Sequence, residues 1–332
     1  MRVSFLGKGG SGKTTIATSF IKFLEKQDKP ILAVDADINV NLGRSLNIET
    51  KYLGDDFEEI ANYLERNKKE ENSGLLKKLY NNFRENMEED KIVIGTTPPT
   101  LKSTFIRPTL QDEFFKKFAT YKNDKLALLT VGTYTDKKVG YACYHSKLGS
   151  AVLIYNRLLD DKNLYVVTDA TAGVDSVGTS MFYVSDINIF VVEPTKKSIE
   201  VFKDFVKITK NYKLKNYVIG NKIRNQSDID FIKSEINENQ ILGFVEDSNF
   251  LRQYEQGNEE KINDFVNENY EINKTIYELL KEIPKDWDNY YKIQKQVYTD
   301  DCNDWYSQFY GTDLTKYIDP DFNYEEVIKE YV

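Results

Sequence analysis

A short stretch near the start of the chain has the residue types and spacing of a phosphate-binding loop. Residues 7–15 read Gly-Lys-Gly-Gly-Ser-Gly-Lys-Thr-Thr and fit the pattern G-x-x-x-x-G-K-[ST]. The glycines allow backbone N–H groups to turn onto phosphate oxygens without a side-chain clash. We expect Lys13 to reach the β- and γ-phosphates of a nucleotide and the Thr14 hydroxyl to bind Mg²⁺. The remaining residues expected to line the phosphates are Gly9, Gly10, Ser11, Gly12 and Thr15.

Two aspartates, one residue apart, follow the next apolar run of the chain. Residues 30–35 read Pro-Ile-Leu-Ala-Val-Asp, so Asp35 and Asp37 stand at the end of this run. Carboxylates in that position can face a Mg²⁺ ion and the water that attacks the γ-phosphate. Either aspartate could instead cap a helix or brace a turn. A third aspartate, Asp169, follows a later apolar run of the same kind.

Short apolar runs alternate with helical patterns along the chain. The runs cover residues 3–6, 30–35, 126–131, 164–168, 187–192, 217–219 and 241–245. Helical periodicity is present at residues 15–24, 147–159 and 198–209. This alternation predicts an α/β fold with a mostly parallel central sheet flanked by helices. Ligands of such sheets bind beyond the carboxyl ends of the strands, where the phosphate loop and the three aspartates are placed.

Two parts of the chain fall outside this alternation. Residues 55–122 are charged and mostly helical in pattern, with a candidate short strand at 92–94. Residues 285–332 hold both tryptophans and ten Tyr or Phe, with eleven acidic and five basic residues. We therefore expect a P-loop domain over residues 1–284, with an insertion at about 55–122, and a C-terminal extension over 285–332. The extension is too aromatic for a typical disordered tail, so we expect it to pack on the core; docking of a partner is the alternative.

Composition restricts the class of protein. The chain has 332 residues and a formal net charge of −8, which disfavours nucleic acid and anionic membranes as partners. No apolar run approaches the length of a membrane span, and because the sequence starts directly with the first strand we expect no signal peptide. Two cysteines in the whole chain indicate a reducing compartment. We expect a cytoplasmic protein without a membrane anchor.

Cys143 and His145 lie in one loop, between the 126–131 run and the next helix. They are one of two cysteines and the only histidine. Their Cys-x-His spacing puts two metal-binding side chains within reach of one ion, and the following helix would lower the pKa of the cysteine. The alternative is that Cys143 is a small buried residue and that His145 only begins the helix. We expect Cys302 to be a plain surface or packed thiol.

Lys8 gives the phosphate loop a second lysine. The sequence Lys-Gly-Gly-Ser-Gly-Lys-Thr-Thr resembles the deviant Walker A loop of the MinD/ParA, nitrogenase iron protein and arsenite-pump ATPases. In that group this lysine crosses a homodimer interface to the partner's nucleotide. The resemblance therefore implies a P-loop ATPase that forms a nucleotide-dependent homodimer, with Lys8 and Lys13 stabilising charge that develops on the transferring phosphate. The alternative is that Lys8 is a solvated surface lysine.

The aspartates stand in sequences that resemble the two switches of this group. Residues 35–42 read Asp-Ala-Asp-Ile-Asn-Val-Asn-Leu, which implies that Asp37 orients or activates the water and that Asp35 supports the Mg²⁺ shell. Residues 169–173 read Asp-Ala-Thr-Ala-Gly, which implies that Asp169 holds Mg²⁺ through water. ATP and Mg²⁺ are therefore the expected cofactors.

Two further segments are expected at the base of the nucleotide. Asn221 follows the 217–219 run after Gly220. In the family this asparagine reads the adenine edge, because its amide supplies both a donor and an acceptor. Glu193 and Pro194 end the preceding strand and are expected to border the base.

The chain resembles most the CooC-type ATPases that insert nickel into carbon monoxide dehydrogenase. Those proteins carry Gly-x-Gly-Cys-x-Cys-Pro before a helix, where this chain reads Gly-Tyr-Ala-Cys-Tyr-His-Ser at 140–146. Residues 191–198, Val-Val-Glu-Pro-Thr-Lys-Lys-Ser, resemble that family as well. Across a homodimer the resemblance implies a site of two cysteines and two histidines, which suits Zn²⁺ and also accepts Ni²⁺. His145 in place of a cysteine could equally record the loss of metal binding.

These features predict an ATP-dependent dimerising ATPase that acts on a client metalloprotein as a maturation or metal-insertion factor. The alternative is a partner-switching ATPase of MinD/ParA type without a metal site. A ligase or kinase of the dethiobiotin synthetase type is disfavoured by Lys8. A nitrogenase-like electron donor would need cluster cysteines that the chain lacks.

Overall fold

A single twisted sheet organises the chain. The computed structural model describes residues 1–53, 56–65, 91–133, 144–160 and 162–331, with the backbone alone for 144–146. Within these residues the sheet has eight strands, in the order β3-β4-β2-β5-β1-β6-β7-β8. The strands are β1 Arg2–Leu6, β2 Ile31–Ala36, β3 Thr120–Asn123, β4 Leu126–Thr130, β5 Tyr165–Ala170, β6 Ile187–Val192, β7 Asn216–Ile223 and β8 Ile241–Glu246.

All strand pairs are parallel except the edge pair β3–β4. Strands β1, β2, β4, β5 and β6 are buried along their whole length, as expected for parallel strands that are covered on both faces. The predicted α/β fold with a mostly parallel sheet flanked by helices is thereby confirmed.

Helices cover both faces of the sheet. They are α1 Lys13–Lys26, α2 Leu42–Leu46, α3 Phe57–Glu65, α4 Glu113–Phe118, α5 Tyr144–Tyr155, α6 Asp175–Gly178, α7 Lys196–Ile208, α8 Gln226–Glu235, α9 Asn249–Glu255, α10 Lys261–Glu268, α11 Tyr270–Glu282, α12 Trp287–Asp301, α13 Ser307–Tyr310 and α14 Tyr324–Tyr331. One apolar cluster joins the sheet to α1, α10 and α11, and a second cluster joins its other face to α5, α7 and α12.

The sequence prediction was wrong in the second half of the 55–122 segment. Residues 91–112 form turns and extended chain rather than helices, and residues 92–94 are buried without being a strand. The prolines at 98, 99 and 108 remove backbone donors that a helix would need. The prediction also missed β3, because this edge strand reads Thr-Tyr-Lys-Asn and has little of the apolar character that marks buried strands.

A buried ion cluster ties this segment to the core. Arg157, fully buried two residues after α5, donates from Nε to Glu65 Oε1 at 2.5 Å and from Nη1 to the Thr97 carbonyl at 2.7 Å. Lys91 pairs with the other oxygen of the Glu65 carboxylate at 2.6 Å. Glu65 and Lys91 thus join the two sides of the 66–90 segment, which lies outside the described residues.

The C-terminal extension packs on the sheet as expected. Tyr290, Tyr298 and Tyr324 belong to the same apolar cluster as residues of the central strands. Arg2, at the start of β1, is fully buried and donates from Nη1 to the Tyr290 hydroxyl at 2.9 Å. The Arg2 guanidinium also lies 5.9 Å from the ring centroid of Trp287. The extension therefore shares the core of the sheet domain.

Candidate nucleotide site

The phosphate loop runs from β1 to α1, and its shape depends on two glycines. Gly7 has φ +146°, and a Cβ there would lie 2.4 Å from the Val191 carbonyl oxygen. Gly12 has φ +100°, and a Cβ there would lie 2.3 Å from Asn221 Nδ2. Side chains cannot be accommodated at either position, so the loop keeps its backbone turned ahead of the positive end of α1.

Lys13 and Asp37 meet at this end of the sheet. Lys13 Nζ lies 3.4 Å from Asp37 Oδ2, and both side chains are almost entirely buried. The other oxygen of the Asp37 carboxylate accepts hydrogen bonds from the Asn39 backbone N–H at 3.0 Å and from its side-chain amide at 2.8 Å. Asp37 is therefore held in a turn that leaves one oxygen directed at the lysine.

Thr14 and Asp169 form the second contact. Thr14 donates its hydroxyl hydrogen to Asp169 Oδ2 at 2.6 Å. The Asp169 Oδ1 atom is buried and has no hydrogen-bond partner among the described residues. A hydroxyl beside a carboxylate oxygen with free lone pairs is a donor set that Mg²⁺ prefers. These residues therefore fit a Mg²⁺ ion.

Asp35 lies beside Asp169 on the neighbouring strand, in direct register. Its carboxylate accepts the backbone N–H of Asp37 at 3.3 Å and that of Leu42 at 3.0 Å. Asp35 thus braces the turn after β2, the alternative role that its position allowed. Burial raises the pKa of Asp35 to about 7, against the lowering effect of these N–H groups. Burial and the Asp35 charge hold the pKa of Asp169 well above its usual range.

The two lysines of the loop have different surroundings. The Lys8 side chain is 41% exposed, and its Nζ lies 3.9 Å from Glu193 Oε2. Lys222 Nζ bonds to Glu193 Oε1 at 2.6 Å and to the Gly10 carbonyl at 2.7 Å. Sequence analysis missed Lys222, although its place directly after Asn221 offered a signal.

Asn221 lies inside β7 rather than after it, and it contacts the loop. Its Nδ2 donates to the Ser11 carbonyl at 2.8 Å. Pro194 precedes Thr195, whose side chain caps the start of α7. The structure thus brings the loop, Asp35, Asp37, Asp169, Glu193, Pro194 and Asn221 to one edge of the sheet. Cys143 and the side chain of His145 lie outside the described residues.

Cys302 is a packed thiol. It is fully buried in the extension, and burial raises its pKa to about 11. Within the described part of the chain, no group of three or more His, Cys, Asp or Glu side chains could hold a metal ion. No helix in that same part is both long enough and apolar enough to cross a membrane.

The fold and the loop geometry define a P-loop nucleotide-binding protein. Residues 5–261 match the CbiA family, described as the CobQ/CobB/MinD/ParA nucleotide binding domain, and the chain belongs to this family. The expected nucleotide-binding ATPase class is thereby confirmed.

Relatives and solved structures agree with this assignment. An uncharacterized ATP-binding protein of Methanocaldococcus jannaschii is 30% identical over 74% of this chain and 84% of its own length. The carbon monoxide dehydrogenase accessory protein CooC of Rhodospirillum rubrum is 23% identical over 74% of this chain and 83% of its own. A ParA family ATPase from Chlorobium tepidum shares the fold, with a TM-score of 0.52 and 16% identity over 85% of this chain and 98% of that one.

Proposed function

We propose that the chain is a Mg²⁺-dependent ATPase whose protomers close face to face on bound ATP, with Lys8 reaching the phosphates held by its partner. The contrast between the two loop lysines carries this proposal. Lys13 is buried against Asp37, whereas Lys8 is exposed and its ion pair with Glu193, at 3.9 Å, is long and weak. Lys8 is therefore available to a second protomer at little energetic cost.

The roles of the other residues follow from their present contacts. Phosphate oxygens would attract Lys13 and release Asp37 Oδ2, which could then accept a hydrogen bond from the attacking water. Thr14 and Asp169 would hold Mg²⁺, with Asp35 beside them. When bound, the ion neutralises negative charge on the phosphates. Asn221 and Glu193 would lie beside the base of the nucleotide. A MinD of Pyrococcus horikoshii, which has the same fold, was solved with Mg-ADP.

Light scattering with ATP tests the crossing lysine. In an Asp37→Ala background, which should slow hydrolysis, ATP is expected to give a dimer. Adding Lys8→Ala should leave monomer, because the partner's phosphates lose their cationic contact. The matched control is Lys196→Ala, which removes an exposed lysine at the start of α7. The role would be refuted if Lys8→Ala left ATP-dependent dimerisation unchanged in the Asp37→Ala background and, as a single substitution, left ATP hydrolysis equal to that of the unsubstituted chain.

We further propose that the dimer matures a client metalloprotein by handling a metal cargo. In the sequence, Cys143 directly precedes α5 and His145 is the second residue of this helix. Lys147 of α5 donates to the Thr133 carbonyl at 2.8 Å, just beyond the end of β4. This is the edge of the sheet that holds the phosphate loop, so nucleotide-driven closure could bring two Cys-x-His pairs together. Two thiolates and two imidazoles suit Zn²⁺ or Ni²⁺ as cargo.

Metal analysis of the anaerobically purified chain, with and without ATP, tests this step. One Zn²⁺ or Ni²⁺ per ATP-bound dimer is expected, and Cys143→Ala should abolish it. Cys302→Ala is the matched control, because this second cysteine is buried in the extension and should not affect binding. Absence of bound metal after loading with either ion would overturn the cargo role.

A partner-switching ATPase of MinD/ParA type without metal is the second candidate. His145 and Ser146 replace the second cysteine and the proline of the CooC-type loop, and this departure favours it. ATP-dependent dimers that never bind metal would support this reading.

A further inference from the structure

The C-terminal extension presents two large aromatic side chains to solvent. Trp305 is 61% exposed and Phe309 is 47% exposed. Their rings stack with centroids 5.7 Å apart and an interplanar angle of 18°. We call this pair the aromatic platform. Paired exposed aromatics of this size are uncommon outside interaction surfaces, because leaving them in water forgoes the free energy of their burial.

The aromatic platform is held by a locally widened helix. Residues Cys302–Tyr306 form a π-helix that continues from α12 into α13, an element that often occurs at functional sites. Cys302, its first residue, is fully buried, and Tyr298 donates its hydroxyl hydrogen to the Leu314 carbonyl at 2.9 Å. Gly311, with φ +67°, then ends α13. Because the residues that support the aromatic platform are packed, the platform is already ordered before a partner binds, which reduces the entropy lost on binding.

The surroundings of the aromatic platform are acidic. Asp300 and Asp304 are exposed within the turns that lead to it, and Asp313 follows it. No salt bridge to these aspartates or to Asp301 is present among the described residues. Burial, and then the charges of Asp300 and Asp304, raise the pKa of Asp301 despite its hydrogen bond from Thr96. The extension as a whole carries eleven acidic and five basic residues.

We propose that the aromatic platform and its acidic rim bind a protein segment that presents apolar side chains beside lysine or arginine. Trp anchors within a complementary rim are typical of binding hot spots. The negative rim repels nucleic acid and anionic membrane. A second copy of the extension would bring like charges together. The proposal goes beyond the ATPase function and does not depend on it.

Fluorescence anisotropy with labelled synthetic peptides tests the surface. The probe is an amphipathic peptide of leucine and lysine, and its counterpart replaces every lysine by glutamate. The parent chain should bind the lysine peptide and not the glutamate peptide. Trp305→Ala with Phe309→Ala should weaken binding by about 30-fold, the loss expected for a hot-spot pair. Asp300→Asn with Asp304→Asn should weaken it several-fold and reduce its dependence on salt.

The matched control is Phe250→Ala, which removes an exposed aromatic ring elsewhere and should leave peptide binding unchanged. ATP hydrolysis by the platform variants should equal that of the parent. If the double variant melts early, Trp305→Gln alone repeats the test. Equal binding of both peptides, or unchanged binding by the platform variants, would overturn the proposal. It would also be overturned if the variants abolished self-association of the chain or adsorption to vesicles of anionic lipid instead.

Discussion

Replacing Arg157 by methionine should destabilise the chain far more than replacing an exposed arginine. Arg157 is fully buried and donates to Glu65, to the Thr97 carbonyl and, at 3.2 Å, to the Pro98 carbonyl. Methionine fills much of the same volume but donates no hydrogen bond to the Thr97 and Pro98 carbonyls or to Glu65. Removing one partner of a buried ion pair costs about 3–5 kcal/mol. Lys91 and Ser103 still contact Glu65, at 2.6 and 2.8 Å, so we expect the lower half of that range.

The expected change in melting temperature follows from the size of the chain. At about 2.1 cal/mol/K per residue, the 332 residues have an unfolding entropy of roughly 0.7 kcal/mol/K. A loss of about 3–4 kcal/mol therefore lowers the melting temperature by about 4–6 °C. Calorimetry of Arg157→Met measures this shift.

The control is Arg107→Met, because Arg107 is 64% exposed and lies 3.7 Å from Asp112. It should cost at most about 1 kcal/mol. A double variant, Arg157→Met with Glu65→Met, should not recover the loss, because it leaves the Lys91 ammonium without its carboxylate partner. If Arg157→Met melts like Arg107→Met, the reasoning about the buried cluster is wrong.

Three further outcomes are expected. Gly12→Ala should destabilise the chain by about 1–3 kcal/mol, because its Cβ meets Asn221 in a left-handed backbone, whereas Gly9→Ala, with no atom within 4 Å, should leave thermal melting unchanged. Thr14→Val should keep the fold but remove the Mg²⁺ dependence of nucleotide binding in titration calorimetry, and Thr14→Ser should retain it. Acid should destabilise the chain through Glu65. Burial raises the pKa of this carboxyl, but the charges of Arg157 and Lys91 outweigh burial and lower the pKa overall. The ionised Glu65 therefore stabilises the fold fully above its unfolded pKa of about 4.3, and this stabilisation is lost as the pH falls through the folded pKa. Urea unfolding of Arg157→Met between neutral and acid pH should therefore vary less than that of the parent.

The strands were predictable because their burial makes them uniformly apolar. The 187–192 run coincides with β6, and the runs before Asp35 and Asp169 end within two residues of β2 and β5. The edge strand β3 was missed because half-exposed edge strands lack that signal. Residues 92–94 are uniformly apolar but do not form a strand. Their side chains are buried in the apolar cluster around α5, and not by hydrogen-bonded pairing with a strand of the sheet.

The common location of the site residues was also predictable from the sequence, because the carboxyl ends of the strands of a parallel sheet lie along one edge. The contacts of these residues could not be predicted. Asp35 accepts a hydrogen bond from the Leu42 backbone N–H in the turn after β2, and Asn221 donates one to the Ser11 carbonyl of the phosphate loop. Lys222 was missed because a lysine inside a strand has no distinctive spacing.

The sequence by itself determined the chemistry of the phosphate loop, since glycine spacing, Lys13 and Thr14 are local requirements of a phosphate site. Only the tertiary structure decided which charges are buried together. The Arg157–Glu65 pair joins residues 92 positions apart, and Arg2 meets Tyr290 across 288. Only the structure, too, distinguished the aromatics of the extension that pack on the sheet from Trp305 and Phe309, which stack on each other in solvent. Such choices depend on which surfaces the folded chain brings into contact, and no local pattern encodes them.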